Sequence, residues 1–193
     1  MKKKRVVNVR IFTERMGLPF PFSPFFPSFD DSDDPSDGDE PESGEASEPY
    51  LSSPAELADV SEMIGSLDKN TEPERSEFFA EGRMVLTDDR VDVVYEETVL
   101  TGMEGSVTSI GFARSDPSVV TMLRQGFVNT AFVFEEGKRH ICVYNTPFSS
   151  FEICVHALKV QNSLLENGTV ELDYLSELRG ARTERCKMKI VVE

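Results

Sequence analysis

From residue 76 to the C-terminus apolar residues recur at every second position, and turn-forming residues interrupt them about every ten residues. This alternation predicts strands over 77–86, 91–98, 105–113, 118–126, 129–136, 139–146, 150–161, 169–178 and 182–192. Asp88-Asp89, Glu136-Gly137, Asn167-Gly168 and Arg179-Gly180 fall between them as hairpin turns. Asn-Gly is the strongest of these signals, because a type I′ turn needs positive φ at both central residues. The run Val6 to Phe12 adds another strand, with Val7, Val9 and Ile11 on one face. No segment among the strands is long enough for a crossover helix, so the sheet is expected to be antiparallel and sequentially connected. Ten such strands curl, and closing the sheet removes its edges. The expected fold is an all-β, antiparallel, up-and-down barrel of about 8–10 strands, built from residues 1–17 and 76–193.

Residues 18–75 interrupt that pattern and read as an insert. Between Leu18 and Phe29 stand four prolines and five phenylalanines. Each proline fixes its own φ and deletes a backbone donor, so this stretch is polyproline-like chain rather than helix or inner strand. Its aromatic side chains either lie back on the barrel or dock a partner. Asp30 to Ser53 is Asp, Glu, Ser, Pro and Gly with only Tyr50 and Leu51 as large apolar residues. It cannot bury enough surface to offset the entropy of ordering, and is expected to be disordered. An apparent calcium loop within it, Asp33 to Gly38, puts Pro35 at the third ligand position and fails. Ser53, Pro54 and Glu56 then supply an N-cap, a first-turn proline and a capping-box acid, and Leu57, Val60, Met63, Ile64 and Leu67 follow at helical spacing. These predict one amphipathic helix over 54–67.

Charge changes the picture less than its total implies. The 193-residue chain has a net charge of −15, but residues 30–75 hold 16 acidic and 2 basic side chains, residues 1–29 hold 1 and 6, and residues 76–193 hold 18 and 12. The acidity belongs mainly to the insert. An acidic protein repels phosphate backbones and anionic lipid heads, so neither nucleic acid nor membrane is an expected partner. Three cysteines, with 11 and 31 residues between them, form no CxxC unit and read as free thiols of a reducing compartment. Asn8 and Arg10 break the N-terminal apolar run before it reaches the length of a leader, and the expected location is the cytoplasm.

Tyr95-Glu96-Glu97, Thr101-Gly102-Met103-Glu104-Gly105, Arg124-Gln125-Gly126, Phe134 to His140 and Tyr144-Asn145-Thr146-Pro147 resemble, in order and spacing, the YwiB-like family of uncharacterised bacterial proteins. The resemblance covers Val6 to Ile11 and about residues 77–193. It implies a calycin-like barrel, akin to lipocalins and intracellular fatty-acid-binding proteins, and brings no established activity. Ser149 stands where the family pattern has glycine, and the insert is longer than the family's usual link.

Two constellations carry candidate chemistry. If Thr146 to Ser149 is a turn whose last residue is left-handed, Cys142 opposes Cys154 and His140 opposes His156, placing all four on one face. Such a ladder has zinc-ligand residue types, but a flat ladder gives poor tetrahedral angles and packing of a half-buried face is the favoured reading, so no metal or other cofactor is assigned. The second constellation is the barrel interior. Val120, Met122 and Arg124 alternate on one strand, and His140 and Tyr144 share a face of another; Tyr95 and Glu96 are further candidates. An arginine with tyrosines in a small barrel is suited to holding a carboxylate, whereas a strand-end arginine can also snorkel to solvent. Cys186 shares a face with Met188, Ile190 and Val192 and reads as core. No catalytic motif is present, and the chain is not expected to be an enzyme. The expected function is non-covalent binding of a small amphipathic carboxylate by Arg124, His140, Tyr144 and Tyr95. The competing readings are a protein-interaction module acting through Phe20 to Phe29 and the helix, and a metal-binding barrel.

Overall fold

The structure, a computed structural model, describes residues 2–18, 72–178 and 182–193. Ten strands form: β1 (Lys3–Leu18), β2 (Glu74–Leu86), β3 (Arg90–Glu96), β4 (Ser106–Ala113), β5 (Asp116–Gly126), β6 (Thr130–Phe134), β7 (Arg139–Asn145), β8 (Ser150–Ser163), β9 (Thr169–Leu178) and β10 (Arg182–Val192). A single 3₁₀ turn, Val99–Thr101, is the one helical element among the described residues. The expected helix at 54–67, the Phe/Pro segment, the acidic tract and the Arg179-Gly180 turn lie outside them. β1 runs longer than its apolar residues indicate, because it is paired on both sides, with β2 and with β10.

All pairings are antiparallel, in the order β6-β5-β4-β3-β2-β1-β10-β9-β8-β7. Each strand lies beside its sequence neighbour and β10 returns to β1, so the sheet curls into a nearly closed ten-strand barrel. The seam between β6 and β7 has one bridge, Asn129 with Asn145, which exchange two backbone hydrogen bonds of 2.9 Å. Full closure fails below that bridge for a local reason. β6 is only five residues long. The turn after it bonds to β8 instead: Gly137 N–H donates to Ala157 O at 2.8 Å and Ala157 N–H to Lys138 O at 3.2 Å. The β8 register shifts between Ala157 and Lys159 beside this contact.

The hairpin of β7 and β8 corrects the sequence reading. Asn145 pairs with Ser150, Cys142 with Ile153 and His140 with Val155, one residue away from the expected register. The expected pairing needed Ser149 in the left-handed region, yet no described non-glycine residue has positive φ. Thr146 instead closes a tighter turn: its N–H donates to Ser149 O at 2.9 Å and its hydroxyl accepts the Ser149 N–H at 3.1 Å. A one-residue slip moves every side chain to the other face.

The inner face is apolar in one half of the barrel. Val7, Val9, Met84, Val91, Val93, Ile110, Phe112, Val120, Phe134, Val170, Ile190 and Val192 fill the end nearest the chain's first residues. Burying side chains of this size contributes roughly 1.5–3 kcal/mol each. Midway along the axis Phe134 packs on Tyr174, ring centroids 4.9 Å apart, and forms a floor. Beyond it the same strands turn polar inside: Ile11 gives way to Thr13 and Arg15, Met122 to Arg124, Ile110 to Thr108, and Tyr174 to Ser176. Outside, charges alternate and neutralise one another, as Glu14 does with Arg75 at 2.9 Å and Lys187 at 3.0 Å. No described helix is long and apolar enough to cross a membrane.

Candidate functional site

Above the floor the barrel encloses a cavity of about 500 Å³. One rung of the sheet builds its polar wall, because Tyr95, Thr108, Arg124 and Thr130 are successive Cα partners across β3, β4, β5 and β6. Glu97, just past the end of β3, adds a carboxylate on the Tyr95 side, its N–H donating to Ser106 O at 2.9 Å. Gly126 lets β5 end against that loop. Its φ is +132°, and a Cβ there would lie 2.2 Å from Gly105 O.

The arginine does not snorkel. Arg124 is 7% exposed, and its Nη2 lies 3.0 Å from Glu97 Oε1. Its Nε donates to Glu97 Oε1 at 3.2 Å and to Thr108 Oγ1 at 3.0 Å, and the Thr108 hydroxyl donates to the same carboxylate oxygen. The guanidinium therefore has its counter-ion within the chain. Burial, with the Glu97 charge second, pushes the Tyr95 phenol well above its ordinary range, and burial does the same to Tyr174. Burial pushes the Cys186 thiol up to about 11. These groups stay neutral at physiological pH, leaving Arg124 and Glu97 as the charged pair in the interior wall.

A loop after β3 forms the lip. Val99, Leu100 and Met103 border the cavity, and the first two are 68% and 77% exposed, an unusual position for aliphatic side chains. The Tyr144 hydroxyl reaches Met103 Sδ at 3.7 Å across the seam. A second, more open groove of about 630 Å³ involves β1, β2, β8, β9 and β10, but its lining is mostly charged side chains, several of which pair with one another, such as Lys189 with Glu171 at 2.7 Å.

The cavity thus brings together Arg124, Tyr95 and Tyr144 of the four expected ligand-binding residues. His140 shares a face of β7 with Tyr144 but sits beside the turn at the packed end, its Nε2 3.8 Å from Glu135 Oε2, and does not border the cavity. Glu96 points outward and is exposed; Glu97 is the acid inside. The expected quartet of His140, Cys142, Cys154 and His156 is not assembled, because the slipped register puts the first two and the last two on opposite faces. Among the described residues no group of three or more His, Cys, Asp or Glu is placed to hold a metal. Cys142 packs against the core, with burial raising it to about 11, and Cys186 is core as expected. Cys154 and His156 are buried on the outer side, where His156 faces Leu175 across the ladder.

Residues 62–190 match the family model described as "Domain of unknown function (DUF1934)". The chain belongs to this family. The DUF1934 barrel described here is similar to the crystal structure of ywiB protein from Bacillus subtilis, with a TM-score of 0.54 over 97% of this chain and 93% of that one, at 11% identity. That likeness concerns the fold and agrees with the resemblance carried by the motifs. No curated protein matches the sequence. For a DUF1934 chain the family therefore supplies the architecture, and the chemistry has to be argued from the cavity.

Proposed function

We propose that the barrel binds a small amphipathic molecule non-covalently in its hollow half. One observation carries this reading: a cavity of about 500 Å³ in which a buried Arg124–Glu97–Thr108 network shares the lining with apolar and aromatic side chains, while further polar residues such as Thr13, Arg15, Ser176 and Glu184 also border it. That volume lies in the range of small-molecule pockets, and a few fixed polar groups in an apolar lining are what orients a ligand there. Met122, Phe132, Ile153 and Met188 supply the surface for an apolar chain. The apolar lip at Val99 and Leu100 offers a path by which such a chain enters without crossing charged surface. The calycin-like barrel that the YwiB-like resemblance implies supports this as analogy alone.

The test is native mass spectrometry of protein purified from cells, with titration by the neutral probe N-phenyl-1-naphthylamine. The expected result is a retained small molecule or saturable probe binding, abolished by Ser176→Trp, which fills the cavity, while the β-sheet spectrum is kept. Absence of both retained ligand and probe binding overturns the reading.

A further inference from the structure

We propose that the hollow half of the barrel selects uncharged amphiphiles, whose hydroxyl, amide or carbonyl end accepts hydrogen bonds from Arg124, over carboxylates of the same chain length. The inference rests on the reading of the barrel as a binding site and names the ligand class of that site.

The argument begins with the counter-ion. Glu97 lies 3.0 Å from Arg124 Nη2 and 3.2 Å from Nε, with side chains only 8% and 2% exposed for arginine and glutamate. A ligand carboxylate placed on the same guanidinium would put two anions on one cation whose side chain, like that of its counter-ion, is largely shielded from solvent. Two carboxylates sharing a site raise each other's pKa until one takes a proton or leaves. No other interior group offers relief, because Tyr95, Tyr174 and Cys186 stay neutral. The rim does not help an anion either. Arg15, its cation, stands directly across the ladder from Glu74, and Glu184 borders the same cavity.

A neutral acceptor meets none of this opposition. The bonds that Arg124 makes to oxygen among the described residues run through Nε and Nη2, so the N–H groups of Nη1 are available to an acceptor entering from the cavity. Such a bond is charge-assisted on the protein's side and adds no net charge to the wall.

The experiment displaces N-phenyl-1-naphthylamine with decan-1-ol and with decanoate near pH 7.5, on the full chain. The alcohol is expected to displace the probe at a concentration at least about tenfold lower. Part of that preference reflects the higher hydrophobicity of any alcohol, so two variants isolate the counter-ion. Glu97→Gln leaves the guanidinium without its anion and is expected to shrink the alcohol-to-decanoate ratio at least about fivefold. Arg124→Gln leaves Glu97 alone and is expected to widen it. Equal or better displacement by decanoate in the wild type overturns the proposal, as does a ratio unchanged in both variants. If Glu97→Gln does not fold, the wild-type ratio and Arg124→Gln still decide. Failure of the probe itself to bind, seen before any competitor is added, overturns the underlying binding-site reading instead.

Discussion

The buried pair sets a quantitative demand on stability. Arg124 and Glu97 are withdrawn from water and compensate each other at 3.0 Å, so removing one leaves the other as an uncompensated buried charge. Breaking such a pair costs about 3–5 kcal/mol, against about 0–1 kcal/mol for an exposed one. The guanidinium borders a cavity that water can enter, which places Glu97→Leu near the lower end, at about 3 kcal/mol. Arg124→Leu should cost a similar amount, since it orphans Glu97 and the Thr108 hydroxyl that donates to it. Replacing both by leucine removes the two desolvated charges together and should be neutral to within about 1 kcal/mol, or stabilising. The coupling between the two sites is then about 6 kcal/mol, beyond what additive, independent sites show. Urea denaturation of the wild type, both single variants and the double variant measures all four values, with the m-value checking two-state behaviour. A cost under about 1 kcal/mol for Glu97→Leu would refute the reasoning, because the pair would then be behaving as a solvated one.

Two further outcomes test other parts of the structure. Burial, with the Arg139 charge second, holds His156 down at about 4 against its ordinary 6.5. The folded value lies below the unfolded one, so its contribution is complete above about pH 6.5 and lost as pH falls toward 4; the free-energy difference between wild type and His156→Gln should shrink by about 2 kcal/mol from pH 7.5 to 4.5 in denaturant titrations, whereas a constant difference contradicts a histidine kept neutral. Since Cys142 pairs with Ile153, mild oxidation of the Ile153→Cys variant should bridge Cys142 to the introduced thiol and leave two thiols titratable after denaturation, while the wild type keeps three; a Cys142–Cys154 disulfide in the wild type would restore the alternative register.

Strand placement was legible because the packed half of the barrel writes its periodicity into the chain. Val170, Leu172 and Tyr174 alternate with Glu171 and Asp173 and follow the Asn167-Gly168 turn, and Val91 and Val93 flank Asp92 after the Asp88-Asp89 turn. The β7–β8 register was not legible, since it turned on one backbone angle at Ser149 and on a hydroxyl at Thr146 that accepts the turn's N–H groups. Neither leaves a trace in hydrophobic pattern. Arg124 could be placed inside by its alternation with Val120 and Met122, whereas parity alone does not separate Tyr95 from Glu96. Glu97 could have been found as the second residue after Tyr95, but it lies beyond the last residue of β3, where alternation has no force. Thr108 required the pairing of β4 with β5 to be known.

The same limit explains why the apolar run Val6 to Phe12 marks only the lower part of β1, which extends to Leu18. On β1 the inward residues Val7, Val9 and Ile11 continue as Thr13 and Arg15; on β10, read from the packed end upward, Ile190 continues as Met188, Cys186 and Glu184. Polarity on the inner face therefore rises toward one end on several strands at once. Folding alone does not ask for this. Filling the upper lumen with leucine and valine would add apolar burial at roughly 25 cal/mol per Å² and would remove the desolvation penalty carried by Arg124 and Glu97. A barrel selected for stability alone would be packed along its whole length, and its sequence would alternate along the whole of each strand. Here the alternation stops where the cavity starts, at Tyr174, Met122 and Ile11, and polar residues that hydrogen-bond one another take over. The break in the pattern along the upper part of β1 is thus the same feature that marks the cavity, and an open, partly polar interior is what the proposed binding of a small amphiphile requires.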